Sequence, residues 1–543
     1  MKKETTYLWW QTGVVYQIYP RSYQDSNQDG LGDLAGIIQR LDYLSGTLGV
    51  DAIWLSPFYP SPMADFGYDV ADYENVDPMF GSLADFDRLA AEAHRRNLRI
   101  IIDFVPNHTS DQHPWFLESR SSRDNPKRDW YFWRDAKPDG SLPNNWLSLF
   151  GGKAWEYDEK THQYYLHIFL KEQPDLNWRN PEVKAAMLGA LRFWMERGVD
   201  GFRLDVAHFI MKDPELRDNP PNPDIANAEF TAGEYPSQLH IHDIAHPDVH
   251  KVFREIRQLL DSYSQDQPRY SVGEIHLFDW KEWAKYYGEK LDELHMPFNF
   301  AFIRRTPWNP KAIQAVVEEI EKAVPPGAWP NYVMGNHDEP RLASRFGKEQ
   351  VRVAAMLLLT LRGTPTLYQG DELGMENVEI PLDKQKDPFG LRVPGSGRDL
   401  CRTPMQWTGD ENAGFSSAGV ETWLPVSPKY KAENVAVELQ DPSSVLNLYR
   451  RLLALRKTTP ALNRGSYQTA GEATDECLSF IREAEGRTFL ITLNFTGKEI
   501  QPHTAMSGKG DILLSTRLDL TGTVSLNTLA LRPHEGLILE LEA

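Results

Sequence analysis

The chain reads as an α/β protein built on a (β/α)8, or TIM, barrel, with a small domain inserted after the third strand and an all-β domain at the C-terminus. Three observations lead there. Strand-like apolar runs alternate with amphipathic helical patterns from residue 14 to residue 457. Four of those runs carry polar groups only at their C-terminal ends: Arg99-Ile-Ile-Ile-Asp103-Phe-Val-Pro-Asn107-His108, Gly201-Phe-Arg203-Leu-Asp205-Val206, Ser271-Val-Gly-Glu274-Ile and Tyr332-Val-Met-Gly-Asn336-His337-Asp338. Strands buried on both faces are apolar throughout, and a barrel gathers its chemistry on the rim formed by the C-terminal strand ends. From about Gly465 the pattern changes to short alternating strands with Gly and Thr turns. A single run ending in a carboxylate could equally be a cap or a strand-end salt bridge; four of one design point to one convergent site.

The elements follow in order. Residues 14–19 are the first strand, and apolar spacing over 33–43 begins the first helix. Residues 52–57 form the second strand, 83–94 an amphipathic helix and 100–105 the third strand. No helix follows directly. Residues 109–176 are rich in Trp, Pro, Asn, Asp and Gly around a strand-like 164–169, which reads as the inserted domain. The barrel resumes with helix 181–197, entered through Asn180-Pro181 as N-cap and first helical residue. Strand 201–206, the polar loop 211–246 and helix 247–263 come next. The eighth strand is 366–368, followed by the long loop 371–434 and helix 445–457. The expected domains are therefore 1–103 with 177–464 (barrel), 104–176 (insertion) and 465–543 (terminal β domain).

A chain of 543 residues with 41% hydrophobic content has ample material for a large core. Its net charge of −19 argues against nucleic acid and anionic membrane surfaces and favours a neutral or cationic ligand. Two cysteines, Cys401 and Cys477, provide neither a disulfide framework nor metal spacing. The first residues lack an apolar core of signal-peptide length, and the apolar run 354–361 is too short to cross a membrane, so the expected location is cytoplasmic.

Asp205, Glu274 and Asp338 each end a strand-like segment and can meet in one pocket. Period-two alternation puts Arg203 on the face of Asp205, and a neighbouring cation keeps a carboxylate ionised. Glu274 lies in the apolar context Val272-Gly-Glu274-Ile275, which is expected to raise its pKa and keep it protonated. A charged and a protonated carboxyl roughly 5–5.5 Å apart can run a retaining glycosidase mechanism. His108 and His337 are neutral donors suited to hydroxyl groups.

The same segments resemble the four signature regions of the α-amylase superfamily, glycoside hydrolase family 13. Gln173-Pro-Asp-Leu-Asn177-Trp resembles the further signature of its oligo-1,6-glucosidase and α-glucosidase branch, as do Trp9-Trp10, Val15-Tyr-Gln-Ile-Tyr-Pro-Arg-Ser22, Gly67-Tyr-Asp-Val and Arg402-Thr-Pro-Met-Gln-Trp407. The resemblance implies Asp205 as nucleophile, Glu274 as general acid/base and Asp338 as the carboxylate that distorts the ring. It implies that Asp65 and Arg398 grip the far hydroxyls and block the pocket, that Tyr68 stacks, and that His108, Arg203 and His337 bind oxygens, with Phe150, Phe169 and Gln173 lining the same pocket. One glucose then enters, and the enzyme is exo-acting. Val206 directly follows the expected nucleophile; in this branch valine there goes with α-1,6 cleavage, threonine or alanine with α-1,4. The chain departs from the pattern at Glu339, where the branch usually carries glutamine.

Asp25-Ser-Asn27-Gln-Asp29-Gly-Leu31-Gly-Asp33 opens like an EF-hand loop but lacks the closing glutamate, since position twelve is Gly36. An Asx-stabilised turn accounts for the pattern without a metal. The resemblance favours structural Ca2+, with Mg2+ as the alternative ion, held by Asp25, Asn27, Asp29, the Leu31 carbonyl and Asp33. His240, His242 and His246 lie in a polar loop and read as solvated side chains. The expected partner is a small oligosaccharide or disaccharide, with no organic cofactor, no nucleic acid and no membrane, for a monomer or weak homo-oligomer. An exo-α-glucosidase is the leading reading. A glucosyl isomerase or transferase of the same fold, such as a trehalose synthase, shares its first step. A dead scaffold of the transporter heavy-chain kind is opposed by the three intact carboxylates.

Overall fold

The computed structural model describes residues 7–227, 233–265 and 267–542. Eight parallel strands form one sheet: β1 (Val15–Ile18), β2 (Ala52–Leu55), β3 (Arg99–Phe104), β4 (Gly201–Leu204), β5 (Tyr270–Gly273), β6 (Met296–Pro297), β7 (Asn331–Val333) and β8 (Thr364–Tyr368). Their order is β7-β8-β1-β2-β3-β4-β5-β6. The barrel is nearly closed, and the seam between β6 and β7 is bridged by side chains. Asn331 Nδ2 donates to the Pro297 carbonyl at 2.6 Å, and the Asn299 backbone N–H donates to Asn331 Oδ1 at 2.9 Å. Proline cannot donate to a ladder, so amide side chains take over where the two-residue β6 runs out.

Most barrel strands are buried residue by residue, as expected for strands covered on both faces. The helices behave as amphipathic cover. Leu83–Arg95 starts in a capping box between Ser82 and Asp85 and buries Phe86, Leu89, Ala90 and Ala93 at helical spacing. Pro181–Glu196 is capped by Asn180, whose side chain accepts from the Glu182 N–H. The apolar run near residue 354 is a different kind of helix. Val351–Thr360 is buried on all sides because the barrel, helix Val445–Thr458 and the terminal sheet enclose it. Among the described residues no helix is long and apolar enough to cross a membrane.

Boundaries differ from the sequence reading by a few residues. The largest change is at the first helix, which runs only Leu34–Gln39 and passes into a wider turn, Tyr43–Leu48, closed by Gly49 at φ +90°. β4 stops at Leu204, two residues before the expected end, because Val206 takes a left-handed φ of +33°. A β-branched residue there is strained, and such strain is characteristic of functional sites.

The inserted segment carries a three-stranded antiparallel sheet, with Gln163–Leu166 between Trp133–Arg134 and Trp155–Asp158. At the C-terminus, β9 (Ser466–Thr469), β10 (Cys477–Ala484), β11 (Arg487–Asn494), β12 (Lys509–Ser515), β13 (Gly522–Ser525) and β14 (Gly536–Leu541) form an antiparallel sheet in the order β9-β10-β11-β14-β12-β13. Glu485 and Gly486, both at positive φ, make the two-residue turn between β10 and β11 that suits strand twist. Alternation along β11 sends Phe489, Ile491 and Leu493 into the barrel's core and Leu490 into a second cluster.

Candidate active site

The C-terminal rim of the barrel opens into a cavity of about 660 Å³. Asp205 and Glu274 each stand one residue past a strand, with their N–H groups continuing the ladder to the Phe104 and Leu204 carbonyls. Asp338 follows β7 in a turn capped by Asn336, whose Oδ1 accepts from the Asp338 and Glu339 N–H groups. All three carboxylates line the cavity, together with Asp65, Tyr68, His108, Phe150, Phe169, Gln173, Val206 and Arg398. Two expected residues do not reach the wall. Arg203 and His337 are fully buried behind it.

Arg203 is the hub of the floor. Its Nη1 donates to Asp103 at 2.9 Å and to Asp205 at 2.6 Å, and its Nη2 donates to Glu274 at 2.5 Å. Three carboxylates thus share one guanidinium, and their mutual repulsion opposes ionising all three at once. Burial raises Asp103 to about 6 despite Arg203. Burial likewise raises Asp205, with Glu274 and Asp103 adding to it and Arg203 opposing.

The apolar setting expected for Glu274 is not found. Burial pushes its pKa up, but Arg203, a hydrogen bond from His276 at 2.7 Å and the Val206 N–H at 3.0 Å outweigh it and hold the carboxyl well below its ordinary value. In the free pocket these surroundings favour the ionised form of Glu274, while burial and repulsion favour the acid forms of Asp103 and Asp205. The flanking Val272 and Ile275 misled because they point into the core, while the carboxylate points into a polar cluster.

The deep wall is set by a second hub. Arg398 donates to Asp65 at 2.7 Å and to Asp338 at 3.2 Å, and Arg402 reaches the same Asp338 oxygen at 2.8 Å. Burial would raise Asp338, but the adjacent His337 and the charges of Arg398 and Arg402 hold it well below the usual carboxylate range. Asp65 is presented by Asp69, which accepts from the Ala64 and Asp65 N–H groups and is itself raised to about 6 by burial. Tyr68 stacks on His337, with ring centroids 5.4 Å apart, and its hydroxyl bonds His337 Nε2 at 2.7 Å. Burial lowers both His108 and His337 to about 3, so each is a neutral imidazole at pH 7. Gln173 bridges Asp65 and His108 at 3.2 and 3.1 Å.

Further residues line the cavity that sequence reasoning did not single out. His276 lies two residues after Glu274, an alternation signal that was there to be read. Arg304 comes from the turn Ala301–Arg305 and pairs with Glu339 at 2.8 Å; both are partly exposed, at the mouth. Phe389 comes from the long loop after β8 and stacks on Phe150 at 4.7 Å. Neither segment carried a periodic pattern.

The loop Asp25–Asp33 contributes no residue to the cavity. Its donor set is oxygen throughout, which suits a hard cation. Asp25 accepts from the Asn27, Gln28 and Gly30 N–H groups, and Asp33 accepts from Ser26 and from the Gly36 N–H. A cation here has to share those oxygens with the loop's own N–H groups. Among the described residues, this loop included, no three His, Cys, Asp or Glu side chains converge as metal ligands. His240 is engaged by Asp243 and stacks on Tyr235.

Comparison with known proteins places this geometry. Residues 17–465 match the model of the alpha-amylase catalytic domain. A probable alpha-glucosidase of Rhizobium meliloti is 47% identical over 87% of each chain. An oligo-1,6-glucosidase of Parageobacillus thermoglucosidasius is 38% identical over 98% of this chain and 99% of its own. Among solved structures, the alpha-glucosyl transfer enzyme XgtA superposes with a TM-score of 0.90 at 41% identity, covering 99% of this chain and all of XgtA. A mutant of the trehalulose synthase MutB, solved with its substrate sucrose, superposes with a TM-score of 0.89 at 34% identity, covering 99% of this chain and all of its own.

Proposed function

The chain belongs to the alpha-amylase family of glycoside hydrolases, and from that premise we propose that it is an exo-acting, retaining α-glucosidase that releases glucose from short α-glucosides. The observation that carries this reading is the single Arg203 guanidinium spanning Asp205 and Glu274. One guanidinium keeps the two carboxyls close, which suits the roughly 5–5.5 Å of a retaining pair better than the roughly 6.5–9.5 Å that leaves room for water. Asp205 attacks the anomeric carbon as Glu274 gives its proton to the departing glycosidic oxygen. The C1–oxygen bond breaks and a covalent glucosyl-enzyme forms. Glu274 then takes a proton from water, which attacks C1 and frees Asp205, so the anomeric configuration is retained. Charge developing at C1 favours ionised Asp205, and the substrate oxygen seated at Glu274 favours its acid form, so substrate binding favours the protonation pattern that the reaction needs. Asp65 and Arg398 close the far end against a second sugar.

The MutB likeness favours a second reading, in which the glucosyl-enzyme is captured by the released sugar. Product analysis on maltose, isomaltose, sucrose and trehalose separates the two. Hydrolysis gives free glucose, first as the α-anomer. A sucrose isomer without glucose would assign the chain to the isomerases, and β-glucose as the first product would refute retention.

Val206 lines the cavity beside the nucleophile and is expected to bias linkage toward α-1,6. Threonine is equally β-branched, so Val206→Thr leaves the strained backbone as it is and changes one methyl for a hydroxyl. It is expected to shift the ratio of kcat/KM toward maltose by up to about tenfold, or roughly 1.4 kcal/mol. Wild-type enzyme that hydrolyses maltose and ignores isomaltose would defeat this assignment.

Asp25, Asn27, Asp29, the Leu31 carbonyl and Asp33 would hold Ca2+ as a structural ion that ties the loop together. Chelator is expected to lower Tm with little effect on the activity of the folded enzyme, because an ion bound only by the native state stabilises it by linkage. Protein purified in calcium and found free of it by elemental analysis would end this proposal.

A further inference from the structure

We propose that Asp387 is a positioning residue that closes residues 387–398 into a strap, so that two of the strap's pocket side chains, Phe389 and Arg398, wall off the far end of the cavity. The proposal rests on the exo-α-glucosidase reading of that pocket. Asp387 does not line the cavity and is 1% exposed. Its Oδ2 accepts from the Arg398 backbone N–H at 2.7 Å and from Arg398 Nε at 3.0 Å. Its Oδ1 accepts from Arg398 Nη2 at 2.6 Å and from the Phe389 N–H at 3.3 Å. One carboxylate therefore ties the start of the strap to its end, through both main chain and side chain.

Each tie has a consequence in the pocket. The guanidinium held by Asp387 is the one that grips Asp65 and Asp338. The N–H held by Asp387 begins the turn Pro388–Arg392, which carries Phe389 onto the face of Phe150, with ring planes 15° apart. The strap closes tightly: a Cβ on Gly390 would stand 2.5 Å from the Gly397 Cα, so the two sides meet where glycine alone fits. Burial opposes the charge on Asp387, but Arg398 outweighs it and holds the pKa at about 2, so the clamp stays ionised throughout the working range. Asp65 and Asp338 attract Arg398 across the pocket but hold nothing of its backbone. Asp399 ties the strap from the other end, its Oδ2 accepting from the Lys386 and Asp387 N–H groups at 2.6 and 2.9 Å, but it holds neither Arg398 nor Phe389; without Asp387 those two lose their shared anchor and the guanidinium loses that charge.

The test compares wild type with Asp387→Ala and Asp387→Asn, using kcat and KM on maltose and cleavage of a maltoheptaoside blocked at its non-reducing end. Asp387→Ala is expected to raise KM at least tenfold with kcat within about threefold, and to begin cutting the blocked substrate, which wild type leaves intact. Asp387→Asn keeps an acceptor for the Phe389 N–H but loses the charge, and is expected to fall between them. Asp387→Glu, restoring the charge one methylene farther out, recovers part of the KM. A folded Asp387→Ala with wild-type KM and no action on the blocked substrate overturns the proposal. If that variant fails to fold, Asp387→Asn behaving as wild type does the same. Wild type that itself cuts the blocked substrate, or releases no glucose from maltose or isomaltose, defeats the exo reading and this proposal with it; an exo wild type with indifferent variants defeats the proposal alone.

Discussion

Glu274→Gln is expected to lower kcat on maltose or isomaltose by roughly 10²–10⁴-fold, the range typical of a lost general acid. The side chain is isosteric, so the cavity keeps its shape. Arg203 keeps Asp103 and Asp205 as partners, and the fold is expected to survive. An amide cannot protonate a departing oxygen, and an alkoxide leaving group depends on that proton. An aryl glucoside leaves as a stabilised phenolate and needs it far less, so its glucosylation step is expected to suffer much less. Removing the carboxylate also removes one of the charges that raise Asp205, which makes the nucleophile easier to ionise. Equal losses on natural and aryl substrates would show that Glu274 supports the site without supplying a proton.

Asp175→Ala is expected to cost about 3–5 kcal/mol of unfolding free energy, the range typical of breaking a buried ion pair. Lys212 and Asp175 are both completely buried and lie 2.5 Å apart, and Lys212 Nζ also bonds Asn107 Oδ1. Burial lowers the lysine pKa and raises that of the aspartate, each partner opposing the shift. The alanine variant leaves the ammonium with the Asn107 amide oxygen as its hydrogen-bond partner and only Asp243 as a nearby opposite charge. The paired replacement Asp175→Leu with Lys212→Met leaves no charge behind and is expected to be milder than Asp175→Ala. Activity should fall with stability, since the pair joins the loops after β3 and β4 to the inserted segment and the His108–Asp175 bridge sets one pocket wall. Urea unfolding of the three proteins decides it. A loss below about 1 kcal/mol for Asp175→Ala, or a paired variant that is worse, would contradict the argument.

The sequence by itself determined the barrel and placed Asp205, Glu274 and Asp338 at the ends of its strands. A strand buried on both faces carries few polar residues; Asp103 and Arg203 near the ends of β3 and β4, and Asp205 and Glu274 just past β4 and β5, fall at C-terminal ends, and a barrel has one rim on which such ends can meet. Asp65 and Arg398 were also legible, though only through the family's signature, because 333 positions separate them and no local pattern links them. What the tertiary structure alone decided is the state of those groups. Whether a carboxyl is protonated depends on which charges and N–H groups stand within a few ångströms, and those come from elsewhere in the chain. Glu274 read as apolar from its neighbours in sequence; in space it meets Arg203, His276 and the Val206 N–H. The ends of β4 and β6, the left-handed Val206, and the places of Phe389, Arg304 and Asp387 on irregular loops were likewise outside the reach of periodicity. A loop's course is set by the side chains that clamp it, and in this protein the clamps join residues brought together only by folding.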